Sequence, residues 1–178
     1  MANVNSPHGL RLHDTAGKSA YLSEYTIATG YATGIGEGDI VKMTGTGRNI
    51  EIAAAGEEDS IGVFKGCMYV NSQGEQVFSS QWPASQAATE IKALVYDDPS
   101  FTFVGQVDTF AADDAGTTVD WTVGTIDTAT GLSTTQLDTT HATTGSLHLL
   151  GLAPQAKNAV GAYAKVLVRF LKHHLIVS

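Results

Sequence analysis

Gly38-Asp39-Ile40-Val41-Lys42-Met43, Thr44-Gly45-Thr46-Gly47, Asn49-Ile50-Glu51-Ile52, Gly56 and Ile61-Gly62-Val63-Phe64-Lys65-Gly66-Cys67-Met68-Tyr69-Val70 follow one another within residues 38–70. Three short runs of β-forming residues are separated by glycine turns, the pattern of consecutive antiparallel strands. By the two-residue period of a strand, Ile50, Ile52 and Ala54 face one side, with Asn49, Glu51 and Ala53 on the other. Between 61 and 69, Ile61, Val63, Lys65 and Cys67 alternate with Gly62, Phe64, Gly66 and Met68. Glycine inside a strand marks a bulge or a close backbone approach. Two of them predict strong curvature, as in a small barrel.

The pattern continues on both sides. Residues 21–28 are rich in β-formers, and 29–38 form a glycine-rich loop. Asn71-Ser72-Gln73-Gly74 predicts a hairpin turn, Trp82-Pro83-Ala84-Ser85 an interruption, and 89–96 a strand. Asp97-Asp98-Pro99-Ser100 is a turn with proline in a favoured place, and 101–107 is the clearest strand. Residues 109–116, small and ended by Gly116, predict one or two turns of helix. The threonine-rich stretch 117–146 alternates at Val119, Trp121 and Val123, and 130–137 reads as a solvent-exposed strand or loop. A buried run at 147–152 and a strand through Val166, Val168 and Phe170 close the fold. About nine to eleven strands at roughly ten-residue spacing predict an all-β fold, a small β-barrel or β-sandwich with a jelly-roll as the leading variant, holding at most one or two short helices. Residues 1–20, where Pro7 and Gly9 prevent regular structure, read as an N-terminal arm that frays or lies along a partner. Residues 21–178 read as a single β domain.

At 178 residues the chain is long enough to fold on its core, and its one cysteine, Cys67, excludes an intramolecular disulfide framework. Cys67 reads as a small buried hydrophobe. Charged residues make up only 16%, and threonine and glycine, 21 and 19 residues, fill the gap. A threonine-covered surface is cheap to desolvate, which suits burial against neighbours; it also suits strands as such. The net charge is −8, and residues 93–156 carry eight aspartates and no lysine or arginine. Such a surface repels a phosphate backbone, so no direct nucleic-acid partner is expected. The opening Met1–Pro7 lacks the cationic start and apolar core of a secretory leader, and no run approaches a membrane span.

No catalytic or metal constellation emerges, so the protein reads as one that is not an enzyme and takes no cofactor. His8, His13, His141, His148, His173 and His174 have no metal-ligand partner at a suitable spacing, and the adjacent pair 173–174 points to opposite faces of a strand. The glycines at 34, 36 and 38 and at 45 and 47 lack the strand-to-helix setting and the lysine of a phosphate cradle. Asp97-Asp98 and Asp113-Asp114 lack the alternating ligands of a calcium loop and read as turn and cap residues. Trp82 and Trp121 read as core or interface anchors, with a sugar-stacking platform as the alternative. A hydrolase built from His141, Asp138 and a serine is a further alternative.

Met1-Ala2-Asn3-Val4-Asn5-Ser6-Pro7-His8-Gly9-Leu10-Arg11 opens a series of blocks that continues with Gly38-Asp39-Ile40-Val41, Gly45-Thr46-Gly47-Arg48-Asn49-Ile50, the Ile61–Gly66 strand, Trp82-Pro83-Ala84-Ser85 and Val95-Tyr96-Asp97-Asp98-Pro99. In this order the blocks resemble the capsid decoration, or cement, proteins of tailed bacteriophages. The resemblance covers most of residues 1–107 and returns weakly at Gly151-Leu152 and 162–168; the stretch 117–146 matches least. It implies a virion structural protein on the outside of an icosahedral head, assembled in the bacterial cytoplasm. Such a protein is often a homotrimer and ties neighbouring major capsid protein subunits together. The expected capsid or subunit contacts are Val4, His8, Leu10 and Arg11 of the arm, with Trp82 and Pro83. A carbohydrate-binding or adhesin module on a virion and a tail or head-completion component are the alternatives.

Overall fold

The computed structural model describes residues 3–141 and 145–175, without the side chain of His141. The strands are β1 (Arg11–Asp14), β2 (Ser23–Tyr25), β3 (Ile40–Met43), β4 (Ile50–Ile52), β5 (Ser60–Val70), β6 (Gln76–Ser79), β7 (Thr89–Tyr96), β8 (Thr102–Gln106), β9 (Thr109–Phe110), β10 (Thr118–Thr122), β11 (Ile126–Asp127), β12 (Leu132–Ser133), β13 (Gln136–Asp138), β14 (Leu147–Leu152), β15 (Gly161–Ala162) and β16 (Lys165–Phe170). One sheet runs β1-β8-β16-β14-β10-β13; the other runs β2-β7-β5-β3-β4, with β6 added on β5. The two sheets make a sandwich, not a closed barrel. The first sheet curls until the Asp108 amide donates to the Leu137 carbonyl at 3.1 Å, but the roll stays open.

Between the sheets lies one core. Phe103, Trp121, Leu149, Val168 and Phe170 of the first sheet meet Ile40, Ala53 and Val63 from the second. A second core covers the far face of the second sheet. There Val41, Ile50, Phe64, Cys67, Tyr69 and Val95 pack under Ile27, Ile35 and Trp82. Ile35 and Trp82 pair through reciprocal backbone bonds of 3.0 and 2.8 Å, which holds the loops around them down on the sheet. The second sheet is therefore covered on both faces, and its central strand β5 is buried along most of its length.

The glycines of β5 are bulge sites, as expected, but they alter the predicted alternation. Register shifts occur where β5 meets β3 and again where it meets β7. Ile61 and Phe64 consequently join the outer core, Val63 the inner one, and Lys65 faces solvent. An extra residue flips every side chain beyond it to the other face. At Gly62, φ is +149° and a Cβ would stand 2.0 Å from the Tyr96 carbonyl oxygen, so β7 can approach this closely only past a glycine. The bulges sit in a sandwich and close no barrel.

Three further expectations change. The helix expected at 109–116 is the short strand β9 followed by a single 3-10 turn, Ala112–Asp114. Burial of Phe110 in the core, with pairing of β9 to β15, claims the start of that segment. Residues 130–137 are not all exposed, because Ser133 and Thr135 are buried around Asp39. The Asp39 carboxylate accepts bonds from the Gly36 amide at 2.8 Å and from the hydroxyls of Ser133 and Thr135. Burial raises its pKa and these donors oppose the rise. Finally, the arm ends earlier than residue 20, since Leu10 is in the core and Arg11–Asp14 is a strand.

Candidate docking surface

The arm lies along its own chain. Asn3 donates to the carbonyls of Ala159 and Ala162 at 2.8 and 2.9 Å and accepts from the Ala159 amide at 3.0 Å. Gln106, wholly buried, accepts from the Ser6 amide at 2.8 Å and donates to Asn5 Oδ1 at 2.8 Å. Lys165 Nζ donates to Gln106 Oε1 at 2.6 Å and to the Ser6 carbonyl at 2.9 Å. Next, the chain crosses the second sheet where the Leu10 amide meets the Gly38 carbonyl at 2.8 Å. A Cβ on Gly9 would sit 2.6 Å from that oxygen at a φ of +66°, so the crossing requires glycine. Beyond it Leu10 drops into the core and β1 pairs with β8.

Register fixes what the uncovered face of the first sheet presents. Leu12, Phe103, Val168 and Leu149 lie in one row across β1, β8, β16 and β14 and point inward. Their neighbours Arg11, Val104 and Leu167 form the next row and, by alternation, point outward, as do Lys165, Arg169 and His148. This face gathers cations that the rest of the molecule leaves uncompensated. Lys18, Lys42, Lys65, Lys92 and Lys172 each pair with a carboxylate. Among the described residues Arg11, Lys165 and Arg169 pair with none; elsewhere only exposed Lys157 and Arg48 also lack a carboxylate, and Arg48 instead donates to the Glu24 carbonyl and covers the Tyr25 ring. Burial, then the charges of Arg11 and Lys165, push the His8 imidazole down to about 4. Burial and Arg11 push the Lys165 ammonium down to about 8. Like charges held together without a counter-charge lower each other's affinity for protons, and an external carboxylate would relieve that.

An apolar patch adjoins the arm. Val4 is 76% exposed and Val160 56%, and the Asn3 clamp on residues 159 and 162 brings the two segments together. Tyr163 is 37% exposed and holds a left-handed φ of 59°, a conformation that costs a non-glycine residue about 1 kcal/mol or more.

Of the six contacts predicted from sequence, Val4, His8 and Arg11 belong to this arm region. Leu10 does not, because its side chain fills the inner core. Trp82 is 0% exposed, packed edge-on against Tyr69 at 5.2 Å under the second sheet, so its ring reaches no partner in this conformation. Pro83 is half-buried on that other side of the sandwich, lining a mostly apolar groove of about 420 Å³ with Gly34, Ile52 and Ile126. Trp121 is buried too, with Nε1 donating to the Ala53 carbonyl at 3.3 Å. Sequence reasoning missed Lys165 and Arg169; their signal was the alternation of β16, which leaves both opposite the core residues Val166, Val168 and Phe170.

Other candidates resolve locally. Cys67 is buried and its thiol is pushed up to about 12 by that burial. Burial works against the charge on Asp98, but Lys18 at 2.7 Å and the Ser100 amide and hydroxyl outweigh it and hold the carboxyl well below its usual range. Asp97 accepts from the buried Tyr25 hydroxyl at 2.9 Å. His173 is buried against Phe170, whereas His174 is exposed. The hydrolase trio rests on a His141 side chain outside the described residues. Among the described residues no group of three or more His, Cys, Asp or Glu side chains could hold a metal ion. No family model matches the chain, and no curated protein or solved structure shows significant similarity to it.

Proposed function

We propose that this protein is a capsid decoration protein of a tailed bacteriophage, laid on the outside of the icosahedral head as a homo-oligomer, with a trimer as the leading form. The observation that carries the reading is the arm side of the first sheet. There, Arg11, Lys165 and Arg169 lack carboxylate partners beside exposed Val4, Val160 and Tyr163. A surface of uncompensated cations next to an apolar patch is suited to protein partners, carboxylates for the cations and apolar surface for the patch, and the partners proposed are a second copy and the major capsid protein. The net charge of −8 disfavours packaged nucleic acid as the target. The order of turn and strand blocks from Met1 to Pro99 points the same way. Cementing needs no chemistry: contacts that are weak singly add up when an oligomer engages several shell subunits at once.

Heads prepared without the protein should break at a lower temperature and under milder osmotic shock than complete heads, and adding the purified protein should restore them. Equal robustness of bare and complete heads would remove the proposal. Copy number separates the shell from the tail, hundreds per particle against a few.

A further inference from the structure

We infer that copies of this chain join head to tail, the cationic β1–β16 side of one seated against the acidic 108–114 crossover of the next. The inference rests on the assembling-protein reading above and divides that surface: the Arg11 and Arg169 side meets the next copy, and the exposed Val4, Val160 and Tyr163 beside the arm are left for the shell.

The crossover from β8 to β10 is as uncompensated in one sign as the β1–β16 side is in the other. Asp108 Oδ1 accepts from the Thr139 hydroxyl and amide at 3.1 and 3.3 Å, and Asp114 Oδ2 from the Ala111 amide at 2.7 Å. Neither meets a cation among the described residues, and Asp113 is exposed with no partner there. The chain offers no lysine or arginine anywhere in residues 93–156. The alanines around Asp113, at 111, 112 and 115, are exposed and small, which leaves the carboxylates open to close approach.

Position makes the two patches complementary between molecules. The crossover starts beside the arm side, where the Asp108 carbonyl accepts from the Tyr163 amide at 3.0 Å and Thr109 pairs with Ala162, but its Asp113–Asp114 turn hangs beside β14, where the Gly116 amide donates to the Leu149 carbonyl at 2.8 Å. Arg11 lies at the β1 edge of the same sheet, with β8 and β16 between. Three strand steps separate them by about 14 Å, and the curl of the sheet turns their outward directions apart. A two-fold contact of the cationic side with itself would set Arg11 and Arg169 against their own copies. Complementary patches at different places make a heterologous contact, which closes into a ring or runs on as a fibre.

The test uses the full-length chain in three charge variants, followed by sedimentation at low and high salt. Wild type should associate at about 50 mM salt and dissociate toward monomer at about 0.5 M, where charges are screened within a few ångströms. Arg11→Glu with Arg169→Glu should weaken association at least tenfold, roughly the effect of opposing like charges. Asp113→Lys with Asp114→Asn, the asparagine keeping the bond to Ala111, should do the same. The quadruple variant should associate again. An equimolar mixture of the two double variants should close only even-numbered rings, because each kind must alternate with the other around a closed ring. A monomeric wild type at low salt, double variants that associate like wild type, or a quadruple variant that stays apart would overturn the inference. Binding to bare heads is scored separately. A monomer that still cements heads overturns only the head-to-tail contact, and a ring that ignores heads overturns only the decoration reading.

Discussion

The two sheets differ in what lies on their outer faces. The second sheet is roofed by its own loops, with Ile27, Ile35 and Trp82 pressed down on it. The first sheet carries only a thin arm, held by polar side chains, and otherwise shows Arg11, Leu167 and Arg169 outward. One sheet is roofed and the other left open with charges unmatched, which is the asymmetry that the proposed docking of the open face needs. Stability should be concentrated on the roofed side and association on the open one.

Substitutions can break this contrast. The largest effect is expected from Trp82→Ala, about 3–5 kcal/mol of lost stability in denaturant unfolding. Arg11→Ala or Arg169→Ala should stay within about 0.5 kcal/mol. Equal costs on the two sides would erase the distinction. Next, Gly62→Ala should cost about 3 kcal/mol or more, because the added carbon has no room against the Tyr96 carbonyl; an ordinary helix- or loop-like penalty near 1 kcal/mol would show that β5 and β7 can part. Removal of residues 2–7 should cost about 1–3 kcal/mol, the price of leaving Gln106 Nε2 without its Asn5 acceptor while Lys165 still donates to Oε1. Gln106→Leu in the shortened chain should recover part of it. The cut must stop before Leu10, whose loss would open the core.

The smallest effect concerns pH. His8 is held neutral in the fold, with its affinity for protons depressed from 6.5 to about 4. The unfolded chain therefore binds a proton that the folded one refuses. Its contribution is fully present above pH 6.5 and fades as the pH falls toward 4. His8→Phe should flatten that part of a stability–pH curve measured by urea unfolding, whereas an unchanged slope would show that His8 is not what feels the acid.

The strands of 38–70 could be read because two-residue alternation and glycine turns are local signals. The second core could not. Its roof depends on where Ile35 and Trp82 meet, a contact between distant loops that no periodicity announces. The arm was half visible: Pro7 and Gly9 announced irregular chain, but the burial of Leu10 depends on a passage beside Gly38. The charge asymmetry was plain from the absence of cations in 93–156, yet which lysines remain unmatched was not. Lys172 finds Glu58, and Lys18 finds Asp98, only through folding.

The strand β16 sits in the middle of the first sheet, between β8 and β14, although it comes near the end of the described chain. Its Lys165 and the 159–162 segment also seat the arm. A ribosome that has made only the first 150 residues has therefore produced a roofed second sheet and no finished open one. The open face with its cations takes shape only after β16 has been made, so a nascent chain acquires its roofed sheet before its bare one.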